Sequence, residues 1–154
     1  MTRLTDYATV VLSHMAQDST AVYSAKSLSH TLAMGGATVS KILKLLANKG
    51  LVTSSRGKEG GYRLAKQPEH IAVTDILEAL EGPLAMTDCA IGIGHCEQAA
   101  GCGVKDNWRH INSVILQALQ QVSLADMLLQ HTQHSFFIRP ETLAQRIKSR
   151  AGVV

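Results

Sequence analysis

Three cysteines lie within fourteen positions in the middle of the chain, at Cys89, Cys96 and Cys102. Thiolate sulfurs are soft ligands that suit zinc and iron–sulfur clusters. The glycines between and around the cysteines indicate a loop and not a helix. Zinc ribbons and fingers contain cysteine pairs two to four residues apart, and no such pair occurs here, which disfavours zinc. The spacing alone leaves a cluster, zinc and three plain reduced thiols as alternatives.

The composition predicts one ordinary globular domain. The chain has 154 residues, of which 45% are hydrophobic and 18% charged, and that length is enough to bury a core without disulfides. We find neither an amino-terminal signal peptide nor an apolar run long enough to span a bilayer. An odd number of cysteines argues against a disulfide framework. We therefore expect a cytoplasmic protein with no membrane partner.

Charge is divided unevenly along the chain. Residues 1–66 carry nine basic and three acidic side chains, a net +6, so that the remainder carries −3 of the total of +3. Lysine and arginine displace counterions from phosphates, which makes a nucleic acid the expected partner of the first half. A solvated lysine surface without a partner is the alternative.

Apolar periodicity predicts helices over residues 5–17, 25–33 and 37–49. Thr5 is the expected N-cap of the first helix, Gly35 and Gly36 break the second, and Gly50 ends the third. A helix, a glycine turn and a second helix form the helix-turn-helix pattern. Two short strands follow over 51–55 and 62–65, joined by a basic glycine-rich tip, and they predict a β-hairpin wing.

The third helix and the wing carry the candidate DNA-binding residues. Polar side chains on the third helix fall off its apolar stripe, where recognition helices reach base edges in the major groove. Glycines in the wing tip let the backbone approach phosphates, and an arginine there can enter the minor groove. The predicted DNA-binding residues are Ser40, Lys41, Lys44, Arg56, Lys58, Gly60, Gly61 and Tyr62.

Three stretches together resemble one family: the opening 3–8, the run from Leu43 through Arg56 to Leu64, and the cysteine loop after Glu81. Residues 1 to about 130 resemble the small winged-helix regulators that sense iron–sulfur clusters, which include IscR, NsrR and the regulators of SUF assembly genes, the last being most similar. The resemblance implies a mainly α fold with a small β-hairpin wing, in which a winged helix-turn-helix precedes a long dimerisation helix.

The resemblance also implies the organisation of the chain. Residues 1–82 would form the winged head, 83–103 the cysteine loop, and 104–129 the dimerisation helix with a short closing helix capped by Ser123. The tail, 130–154, matches nothing and its role is not predicted. Apolar residues in the long helix recur at steps of three and four, which suits a dimer or an internal core, and the family favours a homodimer. These residues are Trp108, Ile111, Ile115, Ala118 and Val122.

A helix packed on the winged head is expected over residues 72–81, with Ile76, Leu77 and Leu80 spaced for burial. The segment from 83 to 103 is expected to be a loop throughout. Gly82 and Pro83 separate the two.

By resemblance, the three cysteines hold an iron–sulfur cluster, with 2Fe–2S favoured over 4Fe–4S. A cluster usually takes a fourth protein ligand. IscR-like proteins place a histidine where this chain has Lys105, whereas NsrR-like proteins use an aspartate from helix one of the partner subunit, which corresponds to Asp6. An acidic residue in a first helical turn is also stabilised by the helix dipole without any metal. His95 and His110 are further candidates.

The sequence thus predicts a homodimeric DNA-binding repressor of iron–sulfur assembly genes, controlled by its cluster and without enzyme activity. The alternatives are a nitric-oxide-sensing or redox-sensing repressor, a zinc-dependent or cluster-free regulator, an enzyme with a cysteine nucleophile beside His95, and a protein-interaction module. Ser40 stands where IscR-like proteins carry a glutamate, so their operator preference does not transfer.

Overall fold

The computed structural model describes residues 2–57, 60–91, 95–97 and 101–129. Within these ranges a short antiparallel hairpin is set among helices, which confirms the predicted mainly α fold with a wing. The elements are α1 (Arg3–Gln17), α2 (Ala25–Thr31), α3 (Gly36–Asn48), β1 (Val52–Ser55), β2 (Gly61–Leu64), α4 (Val73–Glu81), α5 (Asp88–Ile91), α6 (Lys105–Gln120) and α7 (Leu124–Leu128).

Helix α1 begins earlier than the sequence predicts. Its N-cap is Thr2, and Thr5 lies inside the helix with 3% of its surface exposed, so the prediction of Thr5 as N-cap is wrong. The reason is a distant partner. The carboxylate of Glu81, at the end of α4, accepts hydrogen bonds from the Thr2 backbone N–H at 2.6 Å and from the Thr5 hydroxyl at 2.5 Å.

The turn between α2 and α3 does not use its glycines as predicted. Ser24 caps α2 by accepting a hydrogen bond from the Ser27 N–H. The chain then reverses through Ala33, which adopts a φ of 50° in the left-handed region, a conformation that costs a non-glycine residue about 1 kcal/mol. Gly35 is the N-cap of α3 and Gly36 its first residue, so neither glycine breaks α2. Helix α3 ends before Gly50, as predicted, at a φ of 68°.

The hairpin register pairs Val52 with Leu64 and Ser55 with Gly61. Val52 and Leu64 are buried and join the same core as the helices. Because both apolar residues lie at the base of the hairpin, the base is fixed to the core while its tip projects away.

The carboxyl-terminal part of the described chain closes the core of the winged head. Ala72 and Ser123 form an isolated antiparallel bridge. The N–H of Leu124 donates to the Ile71 carbonyl at 2.8 Å, and both of these side chains are fully buried in the main apolar cluster. Ser123 caps α7, as predicted.

Helix α4 spans Val73–Glu81 and ends at Gly82 as predicted, with Ile76 and Leu77 buried. The cysteine segment contains the short helix α5, so the prediction of a continuous loop is wrong for those four residues. Val122 lies beyond the end of α6, so the predicted apolar repeat extends past the helix. Among the helices in the described ranges, none has the length and hydrophobicity that a bilayer crossing needs. The tail at 130–154 lies outside the described residues.

Candidate DNA interface and cysteine loop

Helix α3 separates its apolar and basic side chains. Its buried residues, Val39, Ile42, Leu43 and Leu46, are fully covered by the core. Lys41 and Lys44 are exposed and Ser40 is half-buried. The helical period of 3.6 residues places these three away from the buried stripe. The exposed side of α3 therefore presents two cations and a hydroxyl, a set suited to phosphates and base edges.

The wing tip requires glycine. Gly57 has a φ of 113°, which L side chains rarely adopt, and the Gly60 N–H donates to the Gly57 carbonyl at 3.0 Å. A Cβ on Gly60 would overlap the backbone of Ser55 and Arg56. Arg56 is exposed at the start of this turn. Lys58 lies outside the described residues.

Gly61 and Tyr62 have a structural role that accounts for their types. Tyr62 exchanges backbone hydrogen bonds with Tyr23 and packs against the core. A Cβ on Gly61 would lie 2.6 Å from the Tyr23 carbonyl oxygen. Contact of these two residues with DNA stays a prediction, but their identities follow from the attachment of the wing.

Arg63 is a basic wing residue that the sequence reasoning did not single out. It is exposed on β2, where its Nε lies 3.4 Å from the Thr53 hydroxyl. Strand alternation could have identified it, because the next residue, Leu64, is buried and successive side chains point to opposite faces.

The three cysteines differ in their surroundings. Cys89 lies in α5 and is buried, with 7% of its surface exposed, and its sulfur is 3.1 Å from the Thr87 hydroxyl oxygen. Cys96 and Cys102 are half-buried. In the part of the chain that the structure describes, no three His, Cys, Asp or Glu side chains are grouped to hold a metal ion. The donor types suit a soft metal or a cluster, whereas their positions are not those of an assembled site.

The remaining candidate ligands lie on the surface. Asp6 is exposed in the first turn of α1, one residue after Thr5, and His95 and His110 are exposed as well. Hydrogen bonds donated first by the Thr5 hydroxyl and then by the Thr2 N–H hold the pKa of Glu81 below its ordinary value. This carboxylate therefore fixes the turn that carries Asp6 to the end of α4, next to the start of the cysteine segment.

Helix α6 has an exposed apolar face. Val104, Trp108 and Ile111 expose 53%, 37% and 43% of their surfaces, and Ile115 and Ala118 are half-buried. Asn112 is the one residue of α6 that is buried. The predicted apolar repeat therefore lies on the surface of the described chain and does not form an internal core.

The chain is similar to several known regulators over most of its length. It is 28% identical over 131 residues to the HTH-type transcriptional regulator NsrR of Bacillus licheniformis, covering 84% of this chain and 92% of the relative. It is 26% identical over 151 residues to protein aau3 of Rhizobium meliloti, covering 94% and 98%.

Solved structures show the same fold. IscR of T. potens superposes with a TM-score of 0.61 at 27% identity, covering 88% of this chain and 91% of that one. CymR of B. subtilis, named a global cysteine regulator, gives a TM-score of 0.61 at 26% identity over 83% and 95%. Residues 1–130 match the Rrf2 family, described as iron-dependent transcriptional regulators. The chain therefore belongs to the Rrf2 family, and it is a winged-helix DNA-binding transcription regulator and not an enzyme.

Proposed function

We propose that this regulator is a homodimeric repressor of iron–sulfur assembly genes, of the SUF type, controlled by an iron–sulfur cluster on Cys89, Cys96 and Cys102. One observation carries the proposal: α5, which holds Cys89, packs on α6, while the chain after α6 closes the core of the DNA-binding head. A change at the cysteines thus acts on an element that is continuous with the head.

Binding to DNA would use α3 and the wing. Lys41 and Lys44 are exposed on α3, and recognition helices of this class enter the major groove. Arg56, at the rigid glycine tip, suits a phosphate or the narrow minor groove. The remaining predicted contacts on the wing, including Lys58, belong to the same proposal.

Dimerisation would use the exposed apolar face of α6. Trp108 and Ile111 on this face are large and incompletely covered within one subunit, and a second copy related by a two-fold axis would bury both. Such a dimer presents two copies of α3 to half-sites about one DNA turn, ~34 Å, apart. The dimer is also what would bring Asp6 of the partner subunit to the cysteine loop as the fourth ligand.

When bound, a cluster supplies a redox-active and nitric-oxide-sensitive group whose loss frees three thiolates. The residues of this chain would hold it and respond to its loss. The Cys89 sulfur is already buried beside the Thr87 hydroxyl, whereas Cys96 and Cys102 are half-buried and must approach it. We favour 2Fe–2S over 4Fe–4S.

The test is anaerobic purification with iron and acid-labile sulfide analysis beside a visible spectrum. Two iron and two sulfide ions per subunit, with thiolate-to-iron absorption, are expected, and Cys96→Ala should retain neither after reconstitution. Colourless protein that resists reconstitution would contradict the cluster. A matched measurement of operator binding, with an unrelated duplex as control, tests the DNA-binding part separately.

A cluster-free regulator is the second candidate. Two observations favour it: the cysteines are not grouped as metal ligands within the described ranges, and the fold matches a protein named as a cysteine regulator. In that case operator binding would be present in iron-free protein and would respond to thiol oxidation or zinc.

A further inference from the structure

Asn112 joins α6 to the beginning of the cysteine segment. It is 7% exposed. Its Oδ1 accepts a hydrogen bond from the Met86 N–H at 3.0 Å, and its Nδ2 donates to the Leu84 carbonyl at 3.4 Å. One side-chain amide thus bonds a donor and an acceptor of the backbone that leads into α5. A buried amide that loses such partners is costly, because the groups left behind cannot bond water.

Arg109 makes a second contact one helical turn earlier. Its Nε donates to the carbonyl oxygen of Cys89 itself at 3.0 Å. Its guanidinium also lies 3.8 Å from Asp106, whose side chain is 92% exposed. An ion pair so open to water contributes little. The bond to Cys89 is therefore the contact by which Arg109 contributes to the loop.

These two contacts use a different side of α6 from the apolar face. Arg109 follows Trp108 and Asn112 follows Ile111 by one position, so each polar side chain lies about 100° around the helix from an apolar one. The helix can therefore hold the cysteine segment with one side and leave Trp108 and Ile111 open for another subunit.

We infer that Arg109 and Asn112 are positioning residues that hold residues 84–91, the Cys89 arm, on α6 in the absence of any metal. The arm is fixed on both sides of Thr87: Asn112 bonds residues 84 and 86, and Arg109 bonds residue 89. Cys89 is thereby the preplaced ligand of the three, and a change at its sulfur is passed to α6 through these bonds. The role in the loaded protein rests on the proposed function, whereas the hold on the arm does not.

The first test uses metal-free full-length protein. The three thiols are alkylated with iodoacetamide and their separate rates are followed by mass spectrometry. In wild type, Cys89 is expected to react most slowly. Arg109→Gln and Asn112→Ala should raise the rate at Cys89 about tenfold, the effect of losing one hydrogen bond to a charged or buried group, while Cys102 keeps its rate.

Two variants on the same helix serve as controls. Asn107→Ala removes an exposed asparagine, and Asp106→Asn removes the ion pair of Arg109 without touching the arm. Both should leave the rate at Cys89 unchanged. If Asn112→Ala fails to fold, Arg109→Gln carries the test, because that side chain is 37% exposed.

An unchanged rate at Cys89 in the folded variants would overturn the inference, and so would an equal rise at all three cysteines, which indicates general loosening. In reconstituted protein the same variants should lose cluster absorbance in air about tenfold faster than the controls, the same loss of one bond. If wild type takes up no cluster, the proposed function fails, and the alkylation rates still decide whether the arm is held.

Discussion

Tyr23 and Tyr62 exchange both of their backbone hydrogen bonds, each at 2.8 Å. This isolated antiparallel bridge attaches β2 of the wing to the segment that precedes α2. The wing is therefore fixed at its base by the core and along its edge by the helix-turn-helix. Its direction relative to α3 is set before DNA arrives.

Replacing Gly61 tests this attachment. In Gly61→Ala the new Cβ would meet the Tyr23 carbonyl oxygen at 2.6 Å and the Val22 side chain at 2.9 Å. We expect a loss of about 1–3 kcal/mol in the free energy of unfolding, as for other overpacked sites, together with weaker operator binding. Gly36→Ala is the control, because a Cβ there meets only the Ser29 hydroxyl at 3.7 Å. Equal stability of the two variants in urea would show that the bridge is dispensable.

The basic residues of α3 and the wing should act through phosphates or bases. Lys44→Ala and Arg56→Ala remove exposed cations, and removing one phosphate interaction should lower the slope of log affinity against log salt by about one unit. Operator binding is measured by fluorescence anisotropy over a range of salt concentrations. Lys105→Ala, in α6, removes the same charge outside the head and should leave affinity and slope unchanged. A wild-type slope in both head variants would refute this docking.

The exposed face of α6 should carry the dimer. Trp108→Ala and Ile111→Glu replace side chains that are 37% and 43% exposed within one subunit, so the subunit fold should persist while the dimer dissociates. Sedimentation velocity measures the state of association. Because the chain has a single tryptophan, its emission should also shift to longer wavelength when Ile111→Glu separates the subunits. Gln117→Ala, an exposed polar change on the same helix, should stay dimeric, and dimeric Ile111→Glu protein would place the interface elsewhere.

Glu81 should make the stability of the chain depend on pH. Its pKa is held below its usual value of 4.5 by hydrogen bonds from Thr5 and then Thr2. A lowered folded-state pKa means that the carboxylate stabilises the fold above its unfolded-state pKa, and that this contribution disappears as pH falls through the folded-state value. Glu81→Gln should therefore be less stable than wild type at pH 7 and equal to it at strongly acid pH. Glu78→Gln on the same helix is the control, and a deficit that does not change with pH would exclude the carboxylate.

Asp6 is expected to act only in the loaded dimer. Asp6→Ala should change the visible spectrum of the reconstituted protein or shorten the lifetime of its cluster in air, because one of four ligands is replaced. Asp6→Asn keeps the size and serves as the matched variant. A spectrum and lifetime identical to wild type would leave Asp6 with the helix-dipole role alone. Measurements on the cluster-free form should show no loss of fold, since Asp6 is exposed.

Local patterns predicted the elements and distant contacts decided their details. The apolar spacing of α1, α3 and α4, the wing and the cap at Ser123 follow from neighbouring residues, so the sequence was sufficient for them. The start of α1 depends on Glu81, which is 76 positions from Thr5, and no local rule contains that bond. The turn at Ala33 was missed because glycine is the usual left-handed residue and two glycines follow nearby.

The site was predictable by residue type and much less by arrangement. Cysteines, lysines and wing glycines are visible in the sequence, and the basic side chains of α3 are exposed as expected. Asn112 gave no signal, because a lone asparagine in a polar helix is indistinguishable from a solvated one until the Met86 backbone is placed beside it. The same holds for Arg109, whose partner is a backbone carbonyl and carries no side-chain type to recognise.

The burial of Leu124 in the core of the head has a practical consequence for protein engineering. This side chain, fully covered by residues of the amino-terminal half, arrives only after the chain has passed through the cysteine segment and all of α6. A fragment cut after α4 would leave its cavity open, and a chimera that grafts a foreign sensor onto this head would need to carry α7 back to Ile71. Head and sensor of this regulator are therefore exchangeable as an insertion between two fixed ends, and not as beads on a string.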